Sequence, residues 1–294
     1  MGLSLFGPVV GTEADPAAGA RDRSISVVAT TSVLADFARN VGGSRLDVRS
    51  LVPVGADPHT FEARPSDVIA LATADIVLDN GLGLTPWLSP LSAHIEGDLV
   101  VLTEDLTAGE RSPGGVPDPH VWMVPLYVRD AYVPAIAEAF ARRDPDGAAV
   151  YEALAGRYQE RLTALEEDLR LQLAGIPDSN RVIATTHDGY NRFARHFGFG
   201  EPITLVGIST EEQPSAMRMA AAIDRVRGSG VPAVFRESTV NNSLIAQVAR
   251  EAGLPLGGPL YGDSVGGERT GAMTYEDMMR ANAAALVEAL GAPE

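Results

Sequence analysis

The sequence predicts an α/β protein of two lobes, each with a central, mostly parallel sheet flanked by helices, joined by one long rigid helix. Three observations support this. Short apolar runs alternate with amphipathic stretches in both halves of the chain, the pattern of strands buried between helices. A proline-free stretch, Asp146 to Leu173, carries apolar residues at every third or fourth position. The chain has 294 residues, 45% of them hydrophobic, which is enough for two cores.

The elements follow in order. Ile25 to Ala29 is a short apolar strand, and Ser32 caps a helix that runs through Val41. Leu46 to Val54 reads as a strand ending at Gly55-Ala56-Asp57-Pro58-His59. Pro65-Ser66-Asp67 opens a short helix, because proline and small polar residues favour first turns. Strands at Ala74 to Leu78 and Asp98 to Leu102 flank a helix near Trp87 to Ile95. Thr103 to Pro119 is rich in glycine, proline and acid and reads as an exposed loop. The long helix takes Val150, Leu154, Tyr158, Leu162, Leu165, Leu169 and Leu173 as its apolar seam. Its 28 residues span roughly 42 Å at 1.5 Å per residue, more than one compact lobe needs, so it reads as a rod between lobes. Beyond it, strands fit Arg181 to Thr186, Pro202 to Ile208, Pro232 to Phe235 and Leu254 to Tyr261. Helices fit Pro214 to Val226, Asn241 to Ala252 and Thr274 to Leu290. The expected organisation is a disordered leader (1–23), an N-terminal lobe (24–145), a linking helix (146–175) and a C-terminal lobe (176–294).

Composition narrows the function. The net charge is −16, from 23 basic and 39 acidic residues, and every basic residue is arginine. That balance argues against nucleic acid as a partner and suits a protein that attracts cations. The absence of cysteine removes thiolate metal sites, disulfides and a cysteine-linked lipid from these residues. No apolar run reaches the 18 residues of a membrane span. Met1 to Asp22 lacks a basic start and does not read as an intact signal peptide.

Asp-Pro-His occurs twice, at Asp57-Pro58-His59 and Asp118-Pro119-His120, in a chain with only five histidines. By chance a given histidine follows Asp-Pro on the order of once in a few hundred cases. Proline fixes its own φ and restricts its predecessor, so each histidine hangs from a stiff, non-helical loop, a good mount for a metal ligand. His59, His120, His187 and Asp263 all follow predicted strands, two in each half, and open α/β sheets bind ligands beyond the carboxyl ends of their strands. Three imidazoles and a carboxylate suit tetrahedral Zn²⁺, and four protein ligands leave no open position for catalysis. Glu237 has three readings: a direct approach to the metal, an acceptor that orients a ligand imidazole, or a cap for the helix after it, the last two preferred over the first. His94 and His196 read as surface residues, and Trp122 and Tyr190 as aromatic packing near the site.

Five segments carry a resemblance: VPVGADPHTFEARPSD (Val52 to Asp67), DPHVW (Asp118 to Trp122), ATTHDGYNRFARHFGF (Ala184 to Phe199), VFRESTVNNSLIAQVAREAGL (Val234 to Leu254) and LYGDSVG (Leu260 to Gly266). In content and order they resemble the signature blocks of the zinc/manganese solute-binding proteins of ABC transporters, the cluster A-I metal receptors. The resemblance implies two α/β lobes on a rigid helix with one metal buried between them, and places the four ligands at His59, His120, His187 and Asp263. It also implies zinc over manganese, because members with histidine at the third position resemble zinc binders and those with glutamate resemble manganese binders. Two features depart from the family pattern. Met123-Val124-Pro125 replaces the usual Leu-Asp-Pro after Trp122, for which changed contacts around the site or at the surface are expected. Thr107 to Pro117 is short and lacks the histidine-rich insertion of many zinc members.

The expected function is therefore that of a periplasmic or otherwise extracytoplasmic, monomeric Zn²⁺ receptor. It is not an enzyme, and it delivers its metal to an ABC permease; a metallochaperone stays open as supplier. The alternatives are a manganese or iron(II) receptor of the same fold, a surface adhesin stabilised by metal, and a zinc hydrolase, for which no His-Glu-x-x-His is present.

Overall fold

The structure is a computed structural model that describes residues 24–104, 106, 117–210 and 214–291. The leader (1–23) and most of the expected loop, including 107–116, lie outside the described residues.

The N-terminal lobe is built on β1 (Ile25–Ala29), α1 (Ser32–Gly42), β2 (Leu46–Ser50), α2 (Pro65–Thr73), β3 (Ile76–Asp79) and β4 (Asp98–Val101). The four strands form one parallel sheet in the order β2-β1-β3-β4. β1 and β3 lie at its centre, where Val27, Val28, Val77 and Leu78 are buried, as expected of strands covered on both faces. Thr31, not Ser32, caps α1: its Oγ1 accepts from Leu34 N at 3.3 Å. The Ser32 hydroxyl is thereby left to face the other lobe. The segment Pro86–His94 is a 3₁₀ helix with Pro90 inside it, since proline removes the donor that a regular α-helix needs there.

A helical stretch that the sequence reading did not anticipate follows: α3 (Pro125–Tyr127), a π-helical turn (Val128–Tyr132) and α4 (Val133–Arg143). Pro125 and Pro134 punctuate its sequence, and both sit in first turns, where a missing N–H costs nothing. Met123 and Val124 are buried in front of it, so the departure from the family pattern falls in the core and not at the surface.

The long helix α5 spans Ala148–Leu173, entered through a 3₁₀ turn at Pro145–Gly147. Its buried seam is Tyr151, Ala155, Tyr158, Leu162, Leu165, Leu169 and Leu173. Val150, expected on the seam, is 44% exposed. The first turns are rotated by one position, because the Tyr151 hydroxyl donates to Asp144 at 2.7 Å and its ring packs edge-on against Phe140. α5 packs against α1 and α4 on one side and the C-terminal helix α9 (Tyr275–Leu290) on the other.

The second lobe holds β5 (Ala184–Thr185), α6 (Asn191–His196), β6 (Ile203–Thr204), α7 (Ala216–Ser229), β7 (Val234–Glu237), α8 (Ser243–Ala252) and β8 (Leu256–Leu260), with parallel pairs β5-β6 and β7-β8. β5 and β6 are much shorter than the sequence suggests. The N–H groups of Thr186 and His187 leave the ladder for the Glu237 carboxylate, and the N–H groups of Leu205 and Val206 both turn to the Thr186 carbonyl. One continuous core runs from Val27 and Phe37 through Tyr158 and Leu169 to Phe193, Leu260 and Leu286, and so through both lobes. A separate small core, including Ala184, Ile203, Val226, Val234 and Val248, sits under α7 and α8.

Candidate metal centre

The carboxyl ends of the strands deliver the site. His59 lies on the loop after β2, His120 on the approach from β4, His187 two residues past β5, and Asp263 three residues past β8. All four are buried, and one ligand atom from each lies within 4.8 Å of all the others. The Asp263 carboxylate is the centre: Oδ1 is 3.4 Å from His120 Nε2, and Oδ2 is 3.4 Å from His187 Nε2 and 4.0 Å from His59 Nε2. The three imidazole centroids are 5.3 to 6.0 Å apart. The Nε2 atoms of the three histidines and both Asp263 oxygens are buried with no hydrogen-bond partner. Five such atoms facing one another are costly unless a cation satisfies them together. Of the sequence-predicted residues, these four come together; His94 is exposed and far from them in role.

Two of the three rings have a carboxylate support. Asp118 Oδ1 lies 2.8 Å from His120 Nδ1 and also accepts the His120 N–H at 3.0 Å. Arg192 on α6 donates to the Asp118 carbonyl through Nη2 at 2.7 Å, which fixes that loop from the other lobe. Glu237 holds His187: Oε2 takes Nδ1, while Oε1 accepts the Thr186 and His187 N–H groups at 2.8 and 3.0 Å. Of its three sequence readings, the orienting acceptor is the geometry seen; Asn242 supplies the turn before α8 instead, through 2.8 and 2.9 Å bonds to the Glu237 backbone. In the neutral ring, an Nδ1–H that donates to a carboxylate leaves Nε2 as the free lone pair, so when a cation displaces a proton both rings take the tautomer it requires. In the first Asp-Pro-His the acid acts differently. Asp57 Oδ1 accepts the His59 N–H at 2.9 Å, but Oδ2 accepts the hydroxyl of Thr210 from the other lobe.

The charges are strongly coupled. Burial opposes protonation of His120, but the hydrogen bond to Asp118 and the neighbouring Asp263 carboxylate outweigh it and raise the ring to about 10. His187 is likewise opposed by burial and raised to about 9 by the charges of Glu237 and Asp263. His59, with no such carboxylate on its ring, is lowered by burial to about 4. Burial opposes ionisation of Asp263, yet the surrounding histidines hold its carboxyl well below the usual range.

Asp118 and Arg192 escaped the sequence reading. The signal for Asp118 was present, since an Asp two residues before a His in a stiff turn can reach back to the same ring. Trp122 and Tyr190 pack where expected, with ring centroids 5.4 Å from His120 and 6.5 Å from His187. His196 is not a surface residue: it is half-buried, with Nε2 2.7 Å from the buried Glu166 of α5.

The family described as "zinc-uptake complex component A, periplasmic" (ZnuA) matches residues 27–289. A manganese-binding lipoprotein, MntA of Halalkalibacterium halodurans, is 33% identical over 291 residues, 99% of this chain and 96% of its own. The iron-binding protein YfeA of Yersinia pestis is 30% identical over 273 residues, 92% of this chain and 87% of its own. Among solved structures, the periplasmic zinc-binding protein TroA from Treponema pallidum superposes with a TM-score of 0.87 at 27% identity, over 92% of this chain and 100% of its own. The chain belongs to the ZnuA family of metal-binding solute-binding proteins, which are receptors for ABC transport and not enzymes.

Proposed function

We propose that the protein binds one Zn²⁺ between its lobes through His59, His120, His187 and Asp263, outside the cytoplasm, and hands it to an ABC permease. The single observation that carries this is the convergence of five buried polar atoms without partners. The spacing supports a tetrahedral ion. Ligands about 2.0–2.1 Å from zinc are roughly 3.3 Å apart at tetrahedral angles, close to the 3.4 Å separations of Asp263 from His120 and His187. Three imidazoles favour zinc over manganese, a harder ion that prefers oxygen. In this reading the segments 24–145 and 176–294 each contribute two ligands about the 146–175 helix. No helix among the described residues is long and apolar enough to cross a membrane.

A second reading keeps the fold and the site but exchanges the cargo for manganese or iron(II), and relatives named for those metals support it. Metal-stripped protein offered equimolar zinc, manganese and iron(II) decides between them by plasma mass spectrometry. One zinc per chain, lost in His59→Ala, is expected. Retained manganese or iron would change the cargo, and no bound metal would end the proposal.

A further inference from the structure

With His59 only 3% exposed and the other three ligands at 0–1%, no ion reaches the site without part of the wall moving. Hydrogen bonds between the lobes surround it. Trp122 Nε1 donates to the Gly262 carbonyl at 2.9 Å, and Tyr275 in turn donates to the Trp122 carbonyl at 2.6 Å. Ser264 Oγ accepts the Gly55 N–H at 2.8 Å and meets Ser32 Oγ at 3.0 Å. Arg192 clamps Asp118. Each of these has at least one fully buried partner. The bond from Thr210 Oγ1 to Asp57 Oδ2 joins two residues that are both only half-buried.

Each side of that bond is tied to its own lobe. The Asp57 side is pinned to its lobe: Trp87 Nε1 donates to the Pro58 carbonyl at 2.9 Å, and the Trp87 ring packs on Phe61. The Thr210 side is the half-buried irregular run Gly207 to Thr210, which follows β6 and is tied to its own lobe where the Gly207 carbonyl accepts the Asp188 N–H at 3.1 Å. Behind it, Gly207, Ile208 and Ser209 line a cavity of about 720 Å³ between the lobes, with Leu82 and Gly83 on its far wall. The run therefore has space into which to withdraw.

We infer that Gly207–Thr210 is the door through which the cargo enters and leaves, and that the Thr210–Asp57 hydrogen bond is its latch. The inference rests on the proposed metal site. When the latch opens, the Asp57 carboxylate, two residues from His59, is exposed as the first anionic group an incoming cation meets. The latch acts on the rates in both directions, so it governs residence time more than affinity.

The test is stopped-flow release of Zn²⁺ from the loaded protein into excess chelator, for wild type, Thr210→Val and Thr210→Ser. Losing one hydrogen bond to a charged acceptor should speed release about tenfold in Thr210→Val. Serine keeps the hydroxyl and should restore the slow rate. Association should accelerate as well, so that the dissociation constant changes less than the release rate, with melting temperature and one metal per chain retained. A release rate unchanged in Thr210→Val, or accelerated equally in Thr210→Ser, overturns the latch. If the wild type itself takes up no metal, it is the proposed site that fails, and that outcome is read before any variant is compared.

Discussion

Replacing Glu237 by glutamine is the sharpest perturbation of the site, because it changes one atom and removes no volume. The carboxylate takes His187 Nδ1 on Oε2 and two backbone N–H groups on Oε1. In Glu237→Gln the amide oxygen must keep the two backbone donors, since turning it away would leave both buried and unpaired. The NH₂ then faces His187 Nδ1 as a donor. The ring can satisfy it only by placing its proton on Nε2, the atom that faces Asp263 at 3.4 Å. His187 thus stays in place but loses its lone pair toward the cation. Loss of such an orienting partner typically costs 10–100-fold in metal affinity, about 1.4–2.8 kcal/mol, and the tautomer change puts this case at the upper end. Competition against a chromogenic chelator gives the affinity, and nitrogen-15 shifts of the imidazole give the tautomer. Wild-type affinity in Glu237→Gln, with the neutral ring still carrying its proton on Nδ1, would refute the reasoning.

His187→Ala should lower zinc affinity at least tenfold, whereas exposed His94→Ala should titrate as wild type; calorimetry of the pair checks the choice of histidines. Zinc uptake at pH 7.5 should release about two protons, because metal-free His120 and His187 hold theirs to about 10 and 9 while His59 has already lost its own. Affinity should accordingly climb as pH rises and level off only above about 10, and calorimetry in buffers of different ionisation enthalpy that finds no proton release would contradict this. Asp36 is a separate case: burial raises it from 3.8 to about 6, with the Tyr275 N–H opposing. Between those values the folded state binds a proton that the unfolded state does not, so stability falls as pH rises through that window. The full penalty, about 3 kcal/mol, stands above pH 6. Asp36→Asn keeps an oxygen for Tyr275 N and Asn40 Nδ2, so denaturant unfolding should show it stabilised at pH 7.5 and unchanged near pH 4.

The four residues that converge at the candidate site were legible because their signal is local: a stiff Asp-Pro-His twice, and loops that follow apolar runs. The N-terminal sheet was legible for the same reason, and the predicted Ile25 to Ala29 coincides with the strand found. What the sequence hid depends on partners distant in the chain. β5 is cut short by a carboxylate 50 residues from His187, which no window around that residue contains, and β6 by the turn of Leu205 and Val206 to the Thr186 carbonyl. Asp57 and Asp118 sit in identical tripeptides, yet one reaches Thr210 and the other its own histidine, a difference set by what the opposite lobe presents. The helix at Val133–Arg143 was masked by Pro125 and Pro134, which read as breaks until their place in first turns is seen. The α5 seam shifted at its start because Asp144, outside the helix, fixes the Tyr151 hydroxyl.

The shared core has a consequence for how the chain matures. Tyr275 packs its ring 5.0 Å from Phe37, and Met278, Met279, Leu286 and Leu290 fill the same core as α1 and α5. α9, synthesised long after α1 and α5, therefore closes the lobe that α1 begins. Until residues 275–290 emerge, α1 and α5 keep an uncovered apolar seam, and contacts across more than two hundred residues must form late, at the cost of speed. The lobes mature as one cooperative unit sealed from the carboxyl end, so a chain truncated before Thr274 should yield two unfinished lobes and not one finished lobe with a ragged partner.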